Sequence, residues 1–152
     1  MNPENGFIPT QNTNIENSPQ PLTSFNFDGQ EQAVSFIETT HVVEGVDCAV
    51  YSFVDDNTKD LGIIKISPSK KTPLQKVIKG EKTIEGYISG NCKLTITKPD
   101  GRQEEFVADG SPITAIVNIG ELMLWEADPD LGLEVFEICY PPYEDGRFEN
   151  IE

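Results

Sequence analysis

Few residue types in this chain could do chemistry: one histidine, three cysteines, and 26 acidic residues against 11 basic ones. The single imidazole, His41, cannot supply the two-histidine-one-carboxylate or three-histidine set of a catalytic iron, manganese or zinc site. His41 therefore reads as a strand-end or loop residue. Cys48, Cys92 and Cys139 are odd in number and contain no Cys-x-x-Cys pair. That is the pattern neither of a disulfide framework nor of a zinc knuckle, and it fits reduced thiols in a cytosol. Carboxylates are abundant, but no EF-hand ladder of Asp and Asn occurs. Their strongest chemical use is proton transfer. Two carboxylates in one partly dry cavity raise at least one pKa toward neutrality, which equips a general acid or base.

The basic residues are concentrated. Ten of the 11 lie between 59 and 102, and residues 1 to 58 contain none. The island of Lys65, Lys70, Lys71, Lys76, Lys79 and Lys82 reads either as solvated strand faces that offset acidic neighbours or as an electropositive rim that attracts an anionic ligand. The net charge of −15 argues against nucleic acid, whose phosphates are held by Lys and Arg. No apolar run approaches the roughly 20 residues a bilayer requires, and residues 1 to 20 lack the basic start and apolar centre of a signal peptide. The expectation is a cytoplasmic protein with no membrane and no nucleic-acid partner.

These side chains must be positioned by strands. At 152 residues the chain is one domain's worth and can bury its own core. Residues 1 to 30, rich in Asn, Gln, Pro and Ser, read as a flexible N-terminal arm whose end Phe25 and Phe27 could anchor; residues 31 to 152 form the folded domain. Short apolar or alternating runs follow at Ala33–Glu38, Val46–Val54, Leu61–Ser67, Gln75–Lys79, Ile84–Ser89, Cys92–Lys98, Arg102–Val107, Ile113–Asn118, Glu121–Glu126 and Leu133–Tyr140. Ser89-Gly90-Asn91, Pro99-Asp100-Gly101, Asp109-Gly110-Ser111-Pro112 and Asp128-Pro129-Asp130-Leu131-Gly132 supply the turns. This spacing predicts an all-β sandwich or barrel, with room for a short helical turn within 28–36 or 71–82.

The stretch Gly86-Tyr87-Ile88-Ser89-Gly90-Asn91-Cys92-Lys93-Leu94-Thr95-Ile96, a hairpin, an Asp-Gly pair, the turn Asn118-Ile119-Gly120 and a closing strand into Pro141-Pro142 together resemble the cupins, from about Gly62 to Ile151. The resemblance implies a double-stranded β-helix, or jelly-roll barrel, which protects its strand edges. It also marks where metal ligands would stand, and here the chain departs. Counting through the first cupin motif from Gly90 puts the glutamate position on Thr83 and the histidine positions on Lys76 and Ile78 or on Val77 and Lys79. Counting from Gly62 puts the histidines on Pro68 and Lys70. From Gly120, the third ligand position is Met123 and the motif asparagine is Ala127. The resemblance is thus to a small cupin without the histidine metal ligands, and no cofactor is expected.

If Thr83 faces inward at the old glutamate position, Glu85, Tyr87 and Ser89 share its direction, and Met123 carries Glu121 and Trp125 with it. On the last strand either Glu137 and Cys139 or Phe136, Ile138 and Tyr140 face inward; periodicity does not choose. The candidate catalytic groups are Glu85 and Glu137, and the candidate ligand-binding set is Thr83, Glu85, Tyr87, Met123, Trp125, Lys76 and Lys79. Aromatic walls with a few placed polar groups suit a ligand pocket, although Tyr87, Met123 and Trp125 serve equally as core. In the tail, Tyr143 and Phe148 can fold back onto the barrel, and Arg147 reads as a partner for local acids or as an anion contact. The reading is a metal-independent barrel that binds or senses a small polar or anionic metabolite. The alternatives are a metal-independent isomerase, epimerase or lyase working through a cavity carboxylate, and an interaction protein that only presents surfaces. The resemblance further implies a possible homodimer.

Overall fold

Turn chemistry cuts the chain where its composition dictates. At Pro99-Asp100-Gly101 the glycine takes φ 93°, its amide donates to the Lys98 carbonyl at 2.9 Å, and Asp100 Oδ1 accepts from the Arg102 amide at 3.0 Å. The computed structural model describes residues 21–108, 113–142 and 148–151. The strands are β1 (Ser24–Phe27), β2 (Gln30–Val43), β3 (Val46–Phe53), β4 (Asp56–Ile66), β5 (Gln75–Val77), β6 (Lys82–Gly90), β7 (Cys92–Thr97), β8 (Gln103–Ala108), β9 (Thr114–Asn118), β10 (Leu122–Ala127), β11 (Leu133–Tyr140) and β12 (Phe148–Asn150). They form a seven-stranded sheet in the order β1-β2-β3-β4-β11-β6-β9 and a five-stranded sheet in the order β12-β5-β10-β7-β8. The architecture is an all-β jelly roll.

Each of the ten expected strands is present, and two more appear. β1 lies within the stretch that composition assigned to the leader: Asp28 and Gly29, at φ 54° and 77°, turn it back antiparallel onto β2. Phe25 and Phe27 do anchor it, meeting the Phe136 ring edge-on at centroid distances of 5.1 and 5.7 Å. β12 pairs with β5, and Phe148 packs against the core as the tail reading anticipated. Residues 1–20, the turn at 109–112, Tyr143 and Arg147 lie outside the described residues, as does the side chain of Cys92. The short helical turn does not occur in either expected stretch. Gln30–Val43 is one long strand instead, because β1 pairs with its first four residues and β3 takes over from Val34 to Val43.

Two apolar clusters hold the fold. One fills the barrel between the sheets and includes Ile64, Val77, Leu94, Ile96, Trp125 and Val135. The other lies on the outer face of the larger sheet, where Tyr51, Leu61, Ile63, Phe136 and Ile138 are covered by β1 and the start of β2. β11 is therefore apolar on both faces, with Leu133 and Val135 turned into the barrel and Phe136 and Ile138 turned out. This assigns the parity that alternation left open: Glu137 and Cys139 share the direction of Val135 and face inward.

Candidate functional site

β6 and β11 run side by side with Thr83 opposite Cys139 and Glu85 opposite Glu137. Continuing across the sheet, Gly62 of β4 stands beside Glu137 and Asp60 beside Cys139. The two candidate carboxylates are thus direct cross-strand neighbours. Glu85 is fully buried and Glu137 half-buried. From the opposite sheet, Trp125 on β10 reaches across the barrel and donates its indole Nε1–H to Glu85 Oε1 at 2.9 Å. The Trp125 backbone is held in turn by Thr72, whose Oγ1 accepts from the Trp125 amide at 3.0 Å.

Two polar atoms beside this bond have no hydrogen-bond partner among the described residues: Thr83 Oγ1 and Glu85 Oε2, both buried. Buried polar atoms are nearly always paired, so an adjacent pair of orphans singles this place out in the barrel. Burial pushes the Glu85 carboxyl up, while its polar neighbours Glu137, Trp125 and Thr83 pull the other way by favouring the charged form. Glu137 is raised well above the usual carboxylate range, first by burial and then by the charge of Glu85, with the Cys139 thiol pulling the other way. Cys139 Sγ donates to Glu137 Oε1 at 3.7 Å. Like charges this close oppose each other's ionisation, so the two raised carboxyls titrate as a coupled pair that favours holding one proton between them.

Cys48 belongs to the same neighbourhood. Its Sγ sits 2.9 Å from where a Gly62 Cβ would stand. Burial, then the charges of Glu137, Asp60 and Glu85, push its thiol up to about 12. It stays a thiol and is inert as a nucleophile. Cys48 and the buried Asp60 were not among the sequence candidates. Their signal was Gly62, a glycine inside a strand pattern, which marks close approach by a neighbour.

The remaining candidates distribute as follows. Thr83, Glu85, Trp125 and Glu137 come together. Met123 is buried in the barrel core. Tyr87 packs on that core and donates its hydroxyl to the Gly90 carbonyl at 2.8 Å, so its polar end ties down the β6–β7 turn. The lysines do not join the site. Lys76 alternates with the fully buried Val77 and so faces away from the barrel; Lys79 is exposed beyond the end of β5. Other members of the basic island and its flanks meet acids outside, as in Lys70–Glu44 at 3.6 Å and Lys93–Glu105 at 3.6 Å. Glu121 is likewise engaged, accepting from Lys98 Nζ at 2.9 Å and from the Asn118 amide at 3.0 Å. His41 stands on β2, exposed, with Nδ1 3.0 Å from Asp47.

A cupin metal does not fit these residues. Thr83 and Met123 stand where counting through the motifs puts two of the ligands, and Glu85 already accepts from an indole; a hydroxyl and a thioether are poor donors for hard or borderline ions. Among the described residues no group of three or more His, Cys, Asp or Glu is arranged to hold a metal ion. Among the same residues, no helix is long and apolar enough to cross a membrane.

No sequence family and no curated protein matches the chain. Solved structures do. Oxalate decarboxylase from Bacillus subtilis at pH 4.6 superposes with a TM-score of 0.60 at 18% identity, over 71% of this chain and 28% of that one. The formate complex of Lactobacillus farciminis oxalate decarboxylase gives a TM-score of 0.62 at 15% identity, over 73% of this chain and 32% of that one. The chain therefore spans less than a third of the length of either enzyme, and the Mn(II) centres named for the Bacillus subtilis protein are that protein's. With two curled antiparallel sheets closing on one core and these structural neighbours, the chain has the cupin fold.

Proposed function

We propose that this cupin barrel binds a small polar metabolite without a metal, through the Glu85–Glu137 carboxyl pair. The observation that carries the reading is the orphaned Glu85 Oε2 and Thr83 Oγ1 beside Glu137, in a barrel otherwise lined by apolar side chains. One protonated and one ionised carboxyl offer a donor and an acceptor together, which suits a ligand that also has both, such as vicinal hydroxyls or an amide. Between polar and anionic ligands the site favours the polar one, because the lysines stand outside and three acids, Asp60, Glu85 and Glu137, stand inside. The protein acts in the cytoplasm as a binding or sensing domain.

A second reading follows from the proton itself. A carboxylic acid with a raised pKa next to an ionised partner can give and take a proton, which supports a metal-independent isomerase, epimerase or lyase. Native mass spectrometry of gently purified protein, followed by titration of the recovered compound against wild type and Glu85→Gln, separates the readings. Binding weakened by Glu85→Gln with no chemical change in the ligand supports the binding domain. Turnover by wild type, lost in Glu85→Gln while binding persists, supports the enzyme. A compound that binds both proteins equally removes the carboxyl pair from the site, and stoichiometric iron, manganese or zinc in the barrel would sink the metal-free premise.

A further inference from the structure

On the outer face of the larger sheet, under the β1–β2 hairpin and away from the carboxyl pair, lies a groove of about 730 Å³. That is within the roughly 300–1,000 Å³ of small-ligand pockets. Its walls are Phe25, Phe36, Tyr51, Ile63, Ile88 and Phe136. Ala49 is the small residue of its floor. Ala49 stands beside Ile63, and the Phe136 ring lies over Gly86, where an added Cβ would meet it at 2.1 Å. The wall is fixed: Tyr51 Oη accepts from the Leu22 amide at 3.1 Å, and its ring meets Phe36 edge-on at 5.6 Å.

One end of the groove is charged. Asp47, Lys65 and Glu134 line it from three consecutive strands, in one row of the register. Asp47 is engaged by His41 at 3.0 Å. Lys65 and Glu134 form no ion pair among the described residues, although they are direct cross-strand neighbours. A lone anion placed on Lys65 would face two carboxylates, and a lone cation placed on Glu134 would face the ammonium of Lys65. A zwitterion meets both. Adjacent strands lie about 4.8 Å apart, a span that the carboxylate and ammonium of one α-carbon bridge. We propose that this groove binds a free α-amino acid with a large apolar or aromatic side chain. Its carboxylate pairs with Lys65, its ammonium with Glu134, and its side chain lies among Phe25, Phe36 and Tyr51.

Calorimetric titration of the full chain with L-phenylalanine tests this, with 3-phenylpropionate and phenethylamine as probes lacking one charge each. L-phenylalanine is expected to bind, and each analogue to bind at least about tenfold more weakly, the loss of one charge-assisted hydrogen bond. Lys65→Met and Glu134→Gln should each weaken L-phenylalanine by a similar factor while the melting temperature holds. Ala49→Leu, which fills the floor, should abolish binding, with a cooperative melt showing that the protein is folded. No binding of L-phenylalanine at millimolar concentration overturns the proposal, and so does equal binding of the analogues or indifference to Lys65→Met. A dimer in solution that Ala49→Leu dissociates would assign the groove to a second copy. Binding that appears only after residues 1–20 are removed would assign it to that segment of the chain.

Discussion

Replacing Glu137 with Gln removes a charge without removing the shape, and the response to pH reveals whether the pair holds an excess proton. The register sets Glu137 directly opposite Glu85, which places their Cβ atoms about 5 Å apart. Two full charges at that separation in an effective dielectric of about 20 repel by roughly 3 kcal/mol. Glu137 is half-buried, so solvent relieves part of this, leaving about 1–3 kcal/mol. The sign follows from linkage. Folding raises the Glu137 pKa, so between the ordinary carboxylate range and its raised value the native state holds a proton that the unfolded chain has lost. Wild-type stability therefore falls as pH rises through that window, by about 1.4 kcal/mol per pH step of one across it. In Glu137→Gln the amide nitrogen can donate to Glu85 Oε2 while its oxygen accepts from Cys139 Sγ, and Glu85 is left as the one ionisable member of the pair. The variant should match wild type below about pH 4 and exceed it progressively at higher pH. The expected gain at pH 9 is about 1–3 kcal/mol, or a melting temperature higher by roughly 2–4 °C per kcal/mol. Urea unfolding followed by fluorescence of Trp125, the chain's single tryptophan, measures this from pH 4 to 9. A variant that is less stable than wild type at pH 9, or offset by the same amount at every pH, refutes the shared proton.

Trp125→Phe deletes the indole donor to Glu85 Oε1; a loss of about 2–3 kcal/mol in denaturant unfolding by circular dichroism is expected. Combined with Glu85→Gln, the two losses should be clearly non-additive, since both report one bond. Gly86→Ala drives a methyl into the Phe136 ring and should cost about 1–3 kcal/mol, relieved by Phe136→Leu in the same chain; strict additivity of the two thermal shifts would contradict the contact. His41→Ala removes only an exposed pair and should change stability by under about 0.5 kcal/mol. Dialysis against a chelator should leave the melting curve of the same preparations unmoved, and a drop of several degrees would point to a bound ion.

The physical reasons why parts of this molecule were legible and others not are specific. Strands bounded by Asp-Gly and Pro-Asp-Gly turns announce themselves, because only those residues adopt the required backbone angles at low cost, and the β7–β8 hairpin follows its sequence signal. The inward direction of Thr83 and Glu85 on β6 and of Met123 and Trp125 on β10 was readable as well, because strand geometry lets one fixed residue set its neighbours two away. β11 resisted that logic. Leu133, Val135, Phe136 and Ile138 are apolar at both parities, since one face enters the barrel and the other is roofed by β1. Composition hid the roof by suggesting a flexible leader, yet Asp28-Gly29 between Phe25-Asn26-Phe27 and Gln30 carries the dipeptide signal of a tight hairpin. Once that hairpin is admitted, Phe25 and Phe27 require an apolar surface to cover. Phe136 and Ile138 on β11 supply it, and placing them outward turns Glu137 inward to meet Glu85. The position of the candidate acid pair thus depends on two phenylalanines four strands away in the sheet, a dependence that no local period contains.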